Sequence, residues 1–108
     1  MLTWHSHLYL DEEMKARGID ALRQCLDSGQ PAENAYIITL ASNPKDQLDI
    51  VHTLFLRQNT LCRLLPPVVG VAATRKGAES LIISILEDTM RNTQTTDMRA
   101  YLIGKEAG

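Results

Sequence analysis

Cysteine is scarce in this chain: Cys25 and Cys62 are the only two in 108 residues. They match no zinc or redox spacing and are too few for the disulfide framework of a secreted domain, so a reducing cytoplasm is the expected location. Charge of one sign is also lacking. The formal net charge is −2, with acids and bases interspersed, which argues against bulk attraction to nucleic acid or to an anionic membrane. No apolar run approaches the ~20 residues needed to span a bilayer. The opening MLTWHSHLYLDEE has no basic region followed by an apolar core, so it does not read as a signal peptide. Internal repeats, low-complexity tracts and linkers are missing as well. The phosphate-loop pattern GxxxxGK[ST], the dinucleotide pattern GxGxxG, the GxSxG elbow and HExxH do not occur, which removes the commonest enzyme signatures.

What is present is an ordinary apolar fraction of 44%, enough to build a core and to rule against disorder. A chain of this length is read as one α/β domain over residues 1–108, burying roughly two thirds of its unfolded surface. The organising stretch runs from Tyr36 to Thr74. Two β-branched runs, YIITLAS and VVGVAAT, flank a segment with apolar residues at Leu48, Ile50, Val51, Leu54 and Phe55. Strands at 35–41 and 68–73 with a helix at 44–59 between them predict a parallel βαβ unit in a small open sheet. Neither strand alternates, as expected of strands covered on both faces. Asn43-Pro44 suits a helix start, and Pro66-Pro67 precludes helix before the second strand.

The flanks complete the pattern. Residues 1–10 read either as an edge strand or as an extended arm. Asp11 suits an N-cap, and Met14, Leu22, Cys25 and Leu26 recur at helical spacing, giving a helix at 11–28 that ends before Gly29 and Pro31. Gly18 weakens that helix and marks a close approach to the sheet or to a partner. Gly70 inside the second strand marks either a close backbone approach or a tolerated weak spot. Thr74 caps a helix at 75–92 whose Ala78, Leu81, Ile82, Ile85, Leu86 and Met90 form the most regular apolar stripe in the chain. MRAYLI reads as a third strand at 98–103, with a final helical turn as the alternative, and 104–108 as a loose tail.

No residue demands a reaction, and no catalytic, metal or cofactor set is assigned. His5 and His7 are the best metal-like pair, since a strand would turn both imidazoles to one side, beside Asp11, Glu12 and Glu13; solvated incidental histidines are the plainer reading. His52 reads as a boundary histidine, and Cys62 beside Arg63 as a small buried hydrophobe rather than an activated thiolate. The physical candidate is a place. Ligands of open parallel sheets lie beyond the carboxyl ends of the strands, here Ser42-Asn43-Pro44 and Thr74-Arg75-Lys76-Gly77. Both lead into helix N-termini, whose free N–H groups favour anions. The ligand set for a small anion would be Asn43, Thr74, Arg75, Lys76 and Gly77.

YIITLASNP (36–44), PVVGVA (67–72) and LYLDEE (8–13) together resemble a group of small bacterial α/β proteins to which no function is assigned. The likeness covers most of the chain and implies a fold without catalytic residues. A thinner resemblance, in GIDALRQCLDSG (18–29), IITLASNP (37–44) and LC (61–62), is to ribosomal-type proteins that bind kink-turn RNA. It implies RNA binding, but that family's Gly-Thr-Asn-Glu is replaced here by Gly18-Ile19-Asp20-Ala21, so no RNA-contacting residue carries over. The leading expectation is a non-enzymatic interaction module that forms a homodimer, because a narrow sheet leaves edges to be paired or covered. Anion binding at the strand ends is the alternative, and RNA binding the third.

Overall fold

The structure, a computed structural model, describes residues 3–28, 34–41, 47–53 and 66–107. Along the chain these form β1 (Trp4–Leu10), α1 (Glu12–Arg17), α2 (Asp20–Ser28), β2 (Tyr36–Leu40), β3 (Leu48–His52), β4 (Val68–Ala72), α3 (Arg75–Thr93) and α4 (Met98–Ala107). The four strands make one open sheet in the order β1-β4-β2-β3. It is a small α/β fold with a parallel pair, as expected, but the partners differ. β1 and β4 are parallel, whereas β2 runs antiparallel to both β4 and β3.

The reason is the segment after β2. Residues 48–52 lie within the expected helix 44–59, yet they form a strand paired residue by residue with β2, from Leu40↔Leu48 to Tyr36↔His52. Leu48, Ile50 and Val51 fit a helical face, but Leu48 and Ile50 also fit a two-residue period, and both pack on the same core. A hairpin partner for β2 decided between two periodicities that the residues alone permit. Positions 44–46 and 54–59 of that expected helix lie outside the described residues. With a strand directly after β2, the parallel βαβ unit between 35–41 and 68–73 does not form.

β1 confirms the edge-strand reading of the N-terminal residues. The expected helix 11–28 is two helices, broken at Gly18, whose φ of +83° is rarely adopted by other residues. Among the described residues no atom lies within 4 Å of a Cβ built there, so Gly18 serves the bend and marks no close approach to the sheet. Asp11 caps α1 as expected, its Oδ1 accepting from the Met14 N–H at 2.8 Å. The third strand at 98–103 is instead the start of α4. Met98 and Leu102, four residues apart, are both buried on one helical face. Asp97 Oδ1 accepts the Ala100 N–H at 3.0 Å and Gln47 Oε1 accepts the Met98 N–H at 2.5 Å, which satisfies the helix start. The helix continues through Ala107, so 104–107 is no loose tail.

The sheet carries a helical layer on each face. Met14, Leu22 and Leu26 pack with Ala35, Ile37, Val68 and Val71 on one side. Ala78, Leu81, Ile85, Met98 and Leu102 pack with Ile38, Leu40, Val69 and Ala72 on the other. β4 is therefore buried at all five positions, as its unbroken apolar run predicts. Its two faces are spaced by three residues, not two, because the register with β2 shifts between Ile38 and Thr39: Ile38 pairs with Gly70 and Thr39 with Val68. Gly70 sits at that irregularity. A Cβ there would stand 3.1 Å from the Tyr9 carbonyl oxygen, which confirms the close-approach reading.

Among the described residues, one buried side-chain polar atom is uncompensated. Thr39 is 1% exposed, and its hydroxyl has no hydrogen-bond partner. A buried unpaired hydroxyl carries a desolvation penalty that an apolar group of the same shape avoids. Thr39→Val is therefore expected to raise stability by about 1 kcal/mol. Urea unfolding of the two proteins checks this, and an equal or lower midpoint in the variant would show that the hydroxyl is satisfied in solution.

Candidate functional site

The carboxyl ends of the parallel strands β1 and β4 lie side by side, with Leu10 paired to Val71. Each strand turns directly into a helix, α1 or α3, and the two helices pack on opposite faces of the sheet. Of the five residues expected to hold an anion, four lie here. Thr74 caps α3, its Oγ1 accepting the Gly77 N–H at 3.0 Å while its carbonyl accepts the Ala78 N–H at 3.0 Å. Arg75 and Lys76 are exposed, and Arg75 Nε lies 3.6 Å from Glu79 Oε1 one turn on. Asn43 lies outside the described residues.

The residue that the local pattern did not assign to this place is Asp11. Its Oδ1 caps α1, and its Oδ2 accepts the Ala73 N–H at 3.1 Å, at the end of β4. The same oxygen stands against Gly77 so closely that a Cβ on Gly77 would collide with it. Gly77 is thus required for space, because a carboxylate already occupies the start of α3. That carboxylate supplies the negative charge that a helix N-terminus favours. An added phosphate would lie beside it and meet like-charge repulsion. No local signal in the sequence couples Asp11 to Ala73, whose separation along the chain is 62 residues.

The two histidines of β1 part ways. His5 is buried, and Nε2 lies 2.9 Å from the Leu102 carbonyl oxygen while Nδ1 accepts the His7 N–H at 3.0 Å. The Leu102 carbonyl calls for a proton on Nε2, while Nδ1 lies against both the N–H and, at 3.2 Å, the carbonyl oxygen of His7. His7 is exposed, its Nδ1 3.0 Å from Ser6 Oγ. The two rings stay near each other, with centroids 6.2 Å apart and edge to face, but the one is buried on a backbone carbonyl and the other is exposed. No group of three potential metal-ligating side chains occurs among the described residues. His52 belongs to β3 and meets the Tyr36 ring edge-on at 4.9 Å. Cys62 lies outside the described residues.

A polar cluster that sequence patterns do not reveal joins β1, α3 and α4. The Tyr9 hydroxyl donates to Asp88 Oδ2 at 2.6 Å, Asn92 Nδ2 donates to the Tyr101 hydroxyl at 3.2 Å, and Lys105 Nζ lies under 6 Å from both tyrosine rings. Burial first, then the hydrogen bond to Asp88 and its charge, push the Tyr9 phenol well above its ordinary range. The cluster anchors the edge strand to the helical layer.

On the surface, three large apolar side chains among the described residues are exposed by half or more: Ile83 (57%) and Met90 (50%) on α3, and Ile103 (50%) on α4. On the opposite side of the sheet, Met14, Arg17, Gly18, Ala21, Leu22, Cys25 and Ala35 line a cavity of about 160 Å³. No protein-family model, curated protein sequence or solved structure matches the chain.

Two outcomes follow for the polar contacts. Asp11→Ala removes a helix cap and leaves the Ala73 N–H without its acceptor, so unfolding in urea is expected to show a loss of about 2 kcal/mol, with Asp11→Asn losing less. A loss below about 0.5 kcal/mol for the alanine variant would deny Asp11 its bridging role. For Tyr9, the native state retains a proton that the unfolded chain releases near the ordinary tyrosine pKa of about 10. Its contribution is full below that pH and is lost as pH rises toward the folded value. From about pH 9 to about pH 11 the wild type should lose stability more steeply than Tyr9→Phe; parallel slopes would exclude the coupling.

Proposed function

We propose that the protein is a non-enzymatic interaction module that pairs with a second copy of itself through the outer side of α3. The observation that carries this reading is the width of the apolar arc on that helix. Ala78, Leu81, Ile85 and Thr89 are buried against the sheet, and Ile82 and Leu86 are half-buried on the flank. The arc continues into exposed Ile83 and Met90. At about 100° per residue these positions cover roughly 200° of the helix, twice the stripe that packing on one sheet requires.

Pairing of antiparallel α3 helices about a two-fold axis sets Ile83 against Met90 of the second copy, an isologous contact. One helix face buries less than the ~800 Å² per partner of a standard interface, so the dimer should be weak, forming in the micromolar range. Anion binding at the start of α3 is the weaker reading, since Asp11 stands there already. The free thiol of Cys25 supports placing the module in the reducing cytoplasm. Among the described residues no helix is long and apolar enough to cross a membrane.

Light scattering over a concentration series tests the reading. The expected mass rises from 12.1 kDa toward twice that value as concentration passes through the micromolar range. An Ile83→Glu, Met90→Glu double variant should stay at the monomer mass with its far-UV dichroism unchanged. A wild type that remains monomeric into the millimolar range, or a double variant that dimerises equally well, would end the proposal.

A further inference from the structure

The cavity at the elbow between α1 and α2 lies on the face of the sheet opposite α3, and it is formed by a break in the chain's own pattern. Gly18 bends the backbone between the two short helices. Three of the positions around the bend carry little side chain: Gly18 itself, Ala21 on the exposed rim, and Ala35 in the buried floor. A single leucine or phenylalanine at Ala21 or Ala35 would extend into the space these residues leave. Met14, 2% exposed, and Leu22, 8% exposed, complete the floor, and the half-buried Cys25 forms a wall.

The chemistry of this lining is narrow. Among the described residues Arg17 is its one charged residue, and its Nη2 donates to Glu13 Oε1 at 3.0 Å on the exposed side of α1. The other described lining side chains are apolar or a thiol, so the guanidinium and exposed backbone supply the polar part of the lining and no second side chain fixes a polar ligand. Two of those side chains, Met14 and Cys25, end in or carry sulfur, and a thioether makes favourable contacts with aromatic rings and adapts to irregular shapes. The volume of about 160 Å³ is that of a single ring; an engineered apolar cavity of about 150 Å³ in another protein takes up benzene.

We propose that this elbow is a binding site for a small uncharged apolar molecule, a single aromatic ring or a compact branched hydrocarbon group. The ring lies over Met14 and Leu22, with its edge toward Cys25 and its entry past Ala21. The site is independent of the α3 surface, so the two proposals stand or fall separately.

Toluene is the probe, added to the full-length protein. Methyl NMR should show saturable shifts confined to Met14, Ala21, Leu22 and Ala35. Alkylation of Cys25, followed by peptide mapping, should slow roughly tenfold at ten times the dissociation constant, because only the ligand-free fraction reacts. Ala21→Leu fills the rim from an exposed helical position and should abolish both effects; Cys25→Leu, read by NMR alone, fills the wall from a second position. Non-saturating or dispersed shifts in the wild type, or toluene binding undiminished in whichever of these variants is folded by dichroism, would overturn the proposal.

Discussion

The carboxylate of Asp11 sits where the chain is most constrained. β1 and β4 end side by side, and the segments that leave them diverge to opposite faces of the sheet. One carboxylate serves both exits, capping α1 with Oδ1 and holding the Ala73 N–H with Oδ2. It stands at the start of α3, where the helix dipole favours its charge. The arrangement requires a residue without a Cβ at position 77 and a cap at Thr74 that leaves the carboxylate its room. Position 11 is thereby coupled to Ala73, 62 residues on, and to the turn that follows it. A carboxylate from within the chain stands at the crevice where many parallel sheets bind ligands.

The sequence made some of this legible, and the boundary falls where local signals end. The caps at Asp11 and Thr74, the edge strand at 4–10, the long helix from Arg75, and the close approach at Gly70 could each be read from a residue and its immediate neighbours. Strand pairing could not. Leu48 and Val51 fit a helical period and Leu48 and Ile50 an extended one, and the presence of β2 as a hairpin partner decides between them. MRAYLI poses the same ambiguity in reverse. It becomes helix because Met98 and Leu102 share a buried face and because Asp97 and Gln47 satisfy its first N–H groups. Of the candidate site, the four residues at 74–77 were visible as a helix start. The Asp11 carboxylate facing them was not, since nothing near position 11 encodes a contact 62 residues away.

The edge strand β1 shows how such a sheet limits its own exposure. Its backbone is irregular between Trp4 and Tyr9, and the His7 N–H turns back to the buried His5 ring instead of projecting a regular ladder. Irregular edges are poor templates for a further strand. Trp4 is held by Asp27 and lies under the Arg23 guanidinium, while Tyr9 is held by Asp88, so both helical layers grip this strand. Strand addition at β1 would have to release the His7 N–H from the His5 ring.

The two helical layers then differ in a way the fold alone does not require. On one face, short α1 and α2 carry small residues around their elbow and leave space unfilled. On the other, α3 carries more apolar surface than the sheet beneath it can cover. Single exposed apolar residues are common and need no explanation. Ile83 and Met90 differ because they are continuous, through half-buried Ile82 and Leu86, with the core itself. A polar residue at 83 or 90 would disturb no contact in the core. In the proposed dimer, the same face of a second copy would give these two positions apolar cover.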